Sequence, residues 1–434
     1  MTSMRLFLSA IYAAAILVGS SAHGAENDSP VPLDRTEVTH RIEAGIGLLD
    51  RLYWSPTLAI WLDRPGDDLR AHYEGRLNPP WWSSANAVEV LIDFMNASES
   101  HQFDAAIAEL YDLHKDHKKI APRLIAELKK RHQWSEQDEQ KWQRRQAEAE
   151  AAAKNPPAAE TAPASASYTQ FRNEYLDDSA WWGIAWLKMY DRTRDAQYLE
   201  TARAIHAHMA KNWRPDKDGG VIWCEDADKQ KPNSITNSLF LILSARLYAH
   251  THEPQDLKWA TDTLDWIHAK ALFDGAGVVD VPGHHGDYWT YNQGALIGGL
   301  TSLYEATGKK EYLDEAVKVA DGVLNRSGLL LPSSVLFEKL GVKGWDPGLF
   351  KGILARYLGQ LRDVLNAKGL EPQLAAKIDQ SLRASAASLL QYGIAADGQF
   401  AVEWHEGAKE HTANFNTQVS GLALLIAAMP GSSR

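Results

Sequence analysis

Apolar residues recur at three- and four-residue spacing over residues 43–53, 85–97, 179–192, 198–212, 235–249, 257–271, 294–306, 312–324, 350–365, 374–391 and 418–429. That period marks helices with a buried face. Apolar and polar residues alternate nowhere for more than a few positions, so the pattern predicts an all-α protein. Short stretches such as 220–223 are flanked by turns and are expected to form local hairpins at most. The middle of the chain repeats itself. Tyr198-Leu-Glu-Thr-Ala202, Asp256-Leu-Lys-Trp-Ala260 and Tyr312-Leu-Asp-Glu-Ala316 open equivalent helices, 58 and 56 residues apart (256−198 and 312−256). Each follows a more hydrophobic helix across a short turn, so the repeating unit is a helical hairpin. About six such units fit the chain, and six hairpins can close into a ring of inner and outer helices. The predicted fold is an (α/α)6 barrel, with an open helical solenoid as the alternative because periodicity does not reveal closure.

Two stretches break the pattern. Met1-Thr-Ser-Met-Arg5 is weakly positive and leads into an apolar run from Leu6 to Val18, then small residues at Ala22, Gly24 and Ala25. This reads as a secretory signal peptide over 1–25, since the run is too short to span a bilayer comfortably. The expectation is a secreted or periplasmic protein with no stable membrane insertion after leader cleavage. Residues 26–434 then read as a single domain, interrupted at about 113–167. There His114-Lys-Asp-His-Lys-Lys119 and Lys129-Lys-Arg-His132 give way to a Glu/Ala run and to Asn155-Pro-Pro157. The stretch is expected to be charged, solvated helix followed by a flexible linker, with a partner-binding arm as the second reading.

Composition narrows the partners. Forty-five basic against 56 acidic side chains give a net charge of −11, which leaves no basic excess to neutralise nucleic acid. The single cysteine, Cys224, excludes an internal disulfide. Sixteen tryptophans exceed what a core of this size needs, and flat rings suit sugar faces.

Chemistry concentrates at Phe171-Arg-Asn-Glu-Tyr-Leu-Asp177-Asp178-Ser-Ala-Trp181-Trp182-Gly183. In mid-helix, neighbouring side chains diverge by about 100° and one aspartate would leave the site. At a helix start both can face one cleft, with the positive helix end favouring one anion and mutual repulsion raising the proton affinity of the other. An acid and a nucleophile separated by environment are what glycosidic cleavage requires. The plainer reading is that one aspartate merely caps the helix. Aligning the hairpins places polar-aromatic clusters at equivalent helix starts: Trp81, Trp82 and Asn86; Trp181 and Trp182; Asn233 and Asn237; Trp289, Tyr291, Asn292 and Gln293. Together they would ring one mouth of the barrel with stacking faces and amide donors, a wall suited to a neutral polyhydroxyl ligand.

The run Tyr175-Leu-Asp-Asp-Ser-Ala-Trp-Trp-Gly183, with Asn233-Ser-Ile-Thr-Asn237, Trp289-Thr-Tyr-Asn-Gln-Gly294 and Leu349-Phe-Lys-Gly352, resembles glycoside hydrolase family 76, the α-1,6-mannanases and their fungal cell-wall relatives. The likeness runs from about residue 40 to 430. It implies an (α/α)6 barrel, endo-cleavage of α-1,6-mannan and retention of anomeric configuration, with Asp177 matching the nucleophile and Asp178 the acid/base. The expectation is therefore a monomeric glycoside hydrolase acting on α-mannan, with no cofactor or metal. A transglycosidase of the same fold, a silent glycan-binding protein, and an unrelated helical-barrel lyase or epimerase are the competing readings. His405 and His411 lie six apart, not the four that a zinc-protease helix needs, and His284-His285-Gly-Asp287 reads as a polar turn.

Overall fold

A computed structural model describes residues 33–63, 68–154, 170–214, 219–409 and 411–429. The predicted leader and the Pro/Ala stretch from 155 to 167 lie outside the described residues, as does the His117 side chain. In chain order the helices among the described residues are α1 (Arg35–Tyr53), α2 (Leu69–Tyr73), α3 (Trp81–Ala97), α4 (Asp104–His114), α5 (Ile120–Lys130), α6 (Glu136–Lys154), α7 (Leu176–Thr193) and α8 (Ala196–Lys211). They continue as α9 (Ser234–Thr251), α10 (Pro254–Ala269), α11 (Thr290–Thr307), α12 (Lys310–Asn325), α13 (Pro347–Lys368), α14 (Pro372–Tyr392) and α15 (Phe415–Ala427).

Six of these form an inner ring. Helix α3 packs on α7, α7 on α9, α9 on α11, α11 on α13, α13 on α15, and α15 returns to α3. Closure excludes the open solenoid and makes the fold an (α/α)6 barrel, with α1, α4, α8, α10, α12 and α14 outside. The inner helices are apolar nearly all round because they are covered on all sides; every residue of α15 is buried. Small residues let them approach: a Cβ at Gly294 would meet the Leu354 backbone at 2.8 Å, and one at Gly352 would meet the Ser420 backbone at 2.6 Å. Inside the ring, Arg356 of α13 donates to Asn86 Oδ1 (2.8 Å) and Glu89 (3.2 Å) of α3. Lys188 of α7 lies 3.0 Å from Glu89 and 2.8 Å from Asp93, so two buried anions face two cations.

The two faces of the barrel differ. Inner helices pass to outer ones through tight turns: α7, α9, α11 and α13 end on Arg194, His252, Gly308 and Gly369, all left-handed (φ 59°, 55°, 70° and 65°). Helices α8, α10 and α12 then start 58 and 56 residues apart (254−196 and 310−254), as the sequence repeat predicts. The return connections, from outer to inner helix, are long and all lie on the opposite face. Short bridges pin them, among them Trp213 with Val221, Phe273 with Val278, Leu330 with Leu336 and Ile394 with Phe400.

The 113–167 expectation needs correcting. Helix α4, which the sequence pattern missed, belongs to the outer ring, and His114 is buried there with Nε2 2.7 Å from the Leu58 carbonyl. Helix α5 is not solvated either: it buries Leu124, Ile125 and Leu128 and packs on α2. Arg70 of α2 makes a two-pronged pair with Asp138 (2.9 and 2.7 Å), and Trp134 sits edge-on to Tyr73 at 4.9 Å. From Glu139 to Glu148, α6 is mostly exposed.

Candidate active site

The long-loop face gathers the first turns of the inner helices. Ahead of α7, residues 174–176 run against 223–225: Leu176 N–H donates to the Trp223 carbonyl and Glu225 N–H to the Glu174 carbonyl, both at 2.9 Å. The extended segment ends at Tyr175, so Asp177 and Asp178 fall in the first helical turn, where free backbone N–H groups favour negative charge. Asp177 Oδ1 accepts from the Asp178 N–H (3.0 Å) and Oδ2 from the Trp223 indole N–H (2.9 Å). Asp178 Oδ2 accepts from the Asn173 amide (2.8 Å). Burial pushes Asp177 up to about 7 against those hydrogen bonds. It pushes Asp178 up too, and there the Asp177 charge adds to it. Asp178 therefore holds its proton more tightly than Asp177 does.

Further side chains converge on the pair. Asp280 accepts from Asn292 (3.0 Å) and from the Tyr291 hydroxyl. The Tyr291 ring lies flat on Phe350, 3.9 Å between centroids and 7° between planes, and Trp289 meets Phe350 edge-on at 5.5 Å. Asp346, at the start of α13, accepts from the Trp82 indole N–H at 3.1 Å. Burial raises the proton affinity of both outer aspartates. The arrangement offers paired carboxylates of unequal acidity beside flat rings, the equipment for acid-assisted displacement at a sugar carbon.

Of the residues expected at the mouth, Asp177, Asp178, Trp82, Trp289 and Tyr291 are partly exposed there, and Asn233 caps α9 by accepting from the Thr236 N–H. Others differ from expectation. Trp181 and Trp182 are 2% and 0% exposed; Trp182 stacks in a buried column with Trp186 and Phe171, against which Trp81 also packs. Asn86 is buried beneath Trp82 and serves Arg356. Asn292 is buried and reaches the site through Asp280.

Asn237 and Gln293 are loop clasps. Asn237 accepts the Val221 N–H (2.8 Å) and donates to the Val221 carbonyl (3.0 Å); Gln293 treats Val278 the same way at 2.6 and 2.8 Å. Each amide imitates a strand edge, and with second donations to the Asn233 and Trp289 carbonyls, both at 2.9 Å, neither has an N–H left for a ligand. Two residues past the clasp, each loop delivers a side chain to the site: Trp223 from one, Asp280 from the other. Sequence reasoning missed both, along with Asn173, Asp346 and Phe350 as site residues. A signal existed: Trp223, Asp280 and Glu338 are spaced 57 and 58 apart (280−223 and 338−280), in step with the helical repeat. Glu338 closes the series by accepting from the N–H and hydroxyl of Thr290 at the start of α11 (3.1 and 2.6 Å).

Among the described residues no group of three or more His, Cys, Asp and Glu is arranged to hold a metal ion, and no helix is long and apolar enough to cross a membrane.

Comparison with known proteins identifies the family. The family model described as glycosyl hydrolase family 76 matches residues 134–433. Mannan endo-1,6-alpha-mannosidase DCW1 of Saccharomyces cerevisiae is 29% identical over 220 residues, 44% of this chain and 47% of that protein. The Candida albicans protein of the same name is 26% identical over 214 residues, 44% and 47% of the two chains. The chain thus spans about half the length of the curated relatives it matches. Among solved structures, an inactive variant of the α-1,6-mannanase of Salegentibacter sp. HEL1_6, with two consecutive aspartates replaced by alanine and α-1,6-mannotetrose bound, aligns with a TM-score of 0.66. Its identity is 24%, over 92% of this chain and 99% of that one. Dfg5 from Chaetomium thermophilum, in complex with glucosamine, aligns at 0.63 with 17% identity over 91% of both chains.

Proposed function

Because this chain belongs to glycosyl hydrolase family 76, we propose that it is a secreted, retaining endo-α-1,6-mannanase in which Asp177 is the nucleophile and Asp178 the acid/base. The observation that carries the reading is the pair itself: two carboxyls in the first turn of α7, hydrogen-bonded differently and unequal in proton affinity. The inactive double-aspartate variant of the Salegentibacter enzyme, with its bound mannotetrose, supports both the residues and the substrate class. The apolar start of the sequence supports secretion.

In the first step the Asp177 carboxylate attacks the anomeric carbon while Asp178 gives its proton to the departing glycosidic oxygen. A glycosyl ester on Asp177 results. Asp178, now an anion, takes a proton from water as the water oxygen attacks the same carbon, which frees Asp177 and restores the starting configuration. Retention requires carboxyls about 5 Å apart, whereas inversion leaves about 6.5–9.5 Å for a water; adjacent residues suit the shorter gap. Trp82, Trp289 and Tyr291 offer stacking faces to successive sugars, and the chemistry asks for no cofactor.

The test is incubation with linear α-1,6-mannan, α-1,6-glucan and a branched mannan, with and without an added acceptor sugar. Release of α-configured manno-oligosaccharides from the linear mannan alone is expected, with proton NMR following the new anomeric centre. Release of β-configured products first would overturn the mechanism, and inertness on every mannan would overturn the substrate.

A further inference from the structure

We propose that Trp223 is a positioning residue for Asp177, and that the buried amide of Asn237 on α9 sets its place. This rests on Asp177 being the nucleophile, as inferred above. The path is continuous. Asn237 is fully buried and binds both backbone groups of Val221, with a further donation from its Nδ2 to the Asn233 carbonyl at 2.9 Å. The loop from 219 to 232 is thereby tied to α9, while the pairing of Trp223 and Glu225 with residues 174 and 176 ties it to the segment leading into α7. Trp223 is caught between these anchors. Its ring packs on Tyr175 at 5.3 Å, and its indole N–H reaches Asp177 Oδ2 at 2.9 Å.

That hydrogen bond has two consequences for the reaction. It fixes the rotation of the carboxylate: with Oδ1 held by the Asp178 N–H and Oδ2 by the indole, the plane of the group is set before substrate arrives. It also favours the anion on Asp177, because an N–H donor stabilises a carboxylate and not a carboxylic acid. Asp178 receives its side-chain bond from the Asn173 amide instead. The titratable groups facing Asp177 are Asp178 on its own helix, Asp280 on the loop after α10, and Tyr291 on α11, while Glu174 and Asp346 act on Asp178. All of these are anionic or neutral, so the donor on Trp223 works against its surroundings to keep Asp177 the more acidic of the pair.

The experiment compares pH profiles of kcat/KM on an α-1,6-manno-oligosaccharide for wild type, Trp223→Phe and Asn237→Leu. Trp223→Phe keeps a ring against Tyr175 and removes only the donor. The acidic limb is expected to move up by about one pH unit, which alone lowers kcat/KM well below the limb about tenfold; the plateau above it falls as well, because the carboxylate loses the partner that fixes its rotation. Asn237→Leu is expected to shift the limb in the same direction, and the double variant to shift it no further than Trp223→Phe alone, because both act through one contact. A uniform loss at every pH with the limb unmoved would overturn the proposal and leave Trp223 a packing residue. If Asn237→Leu does not fold, Asn237→Ala replaces it, and an acidic limb left at the wild-type position in a folded Asn237 variant would overturn the role given to that amide. Asp177→Asn serves as the control: full activity in that variant would sink the assignment of the nucleophile itself, separately from anything said of Trp223.

Discussion

Trp82 and Asp346, 264 residues apart in sequence, meet at the mouth of the barrel, where the indole N–H of the first donates to the carboxylate of the second at 3.1 Å. Asp346 stands at the N-cap position of α13 but makes no capping bond; its side chain is turned to the site, where its charge raises the proton affinity of Asp178. The proposed mechanism needs Asp177 ionised and Asp178 protonated. The kcat/KM profile is therefore expected to be bell-shaped, with activity falling below about pH 7 as Asp177 takes up a proton. Asp346→Asn removes one anion, so Asp178 should release its proton more easily and the alkaline limb should move to lower pH, by about half a unit to one unit. A limb that stays in place would separate Asp346 from the pair.

Asp177→Asn and Asp178→Asn are each expected to cut turnover of mannan by about 10³-fold or more, without unfolding the chain. They differ on a substrate with an acidic aryl leaving group, which departs without a proton. Asp178→Asn should then accumulate a glycosyl ester, visible as one added hexose in the intact-protein mass. Asp177→Asn should accumulate none.

The same substitutions should stabilise the protein. Both carboxyls hold protons more tightly in the folded chain than their ordinary value of 3.8 allows. Folding therefore takes up protons between about pH 4 and 7, and stability falls as pH rises through that window. A neutral amide escapes the effect, so Asp177→Asn is expected to melt about 2–4 °C above wild type at pH 8 and close to it at pH 4. Calorimetry at the two pH values checks the sign.

Arg356→Leu takes away the cation that lies 3.2 Å from Glu89 and 3.5 Å from Asp93 inside the ring. Removing one member of a buried ionic set costs about 3–5 kcal/mol, and denaturant unfolding should register a loss of that size. Replacing Arg356 and Glu89 together by leucine should recover a good part of it, since the stranded charge goes as well. If the double variant were no better than the single one, the loss would come from packing.

Much of the barrel is legible in the sequence because its causes are local. Tyr198, Asp256 and Tyr312 mark the repeat, and the apolar spacing of the inner helices follows from their burial on all sides. Helix α4 escapes the pattern because one outer helix of eleven residues carries few periods, and its last residue opens a charged run. Adjacent aspartates ahead of a tryptophan pair announce Asp177 and Asp178. The amides were harder to place, since Asn237 looks the same in a sequence whether it faces sugar or a loop backbone. Only the fold shows that Val221 takes both ends of it. Trp223, Asp280 and Asp346 come from irregular connections, where spacing says little about direction; for Trp223 and Asp280 the hairpin period alone hints at a shared office.

The uneven faces of the ring bear on how the protein can be handled. Four tight corners, at Arg194, His252, Gly308 and Gly369, sit at the end away from the aspartates. An anchor inserted beside Gly308 or Gly369 would fix the molecule to a bead or a membrane with its opening turned outward, free to receive a long polymer.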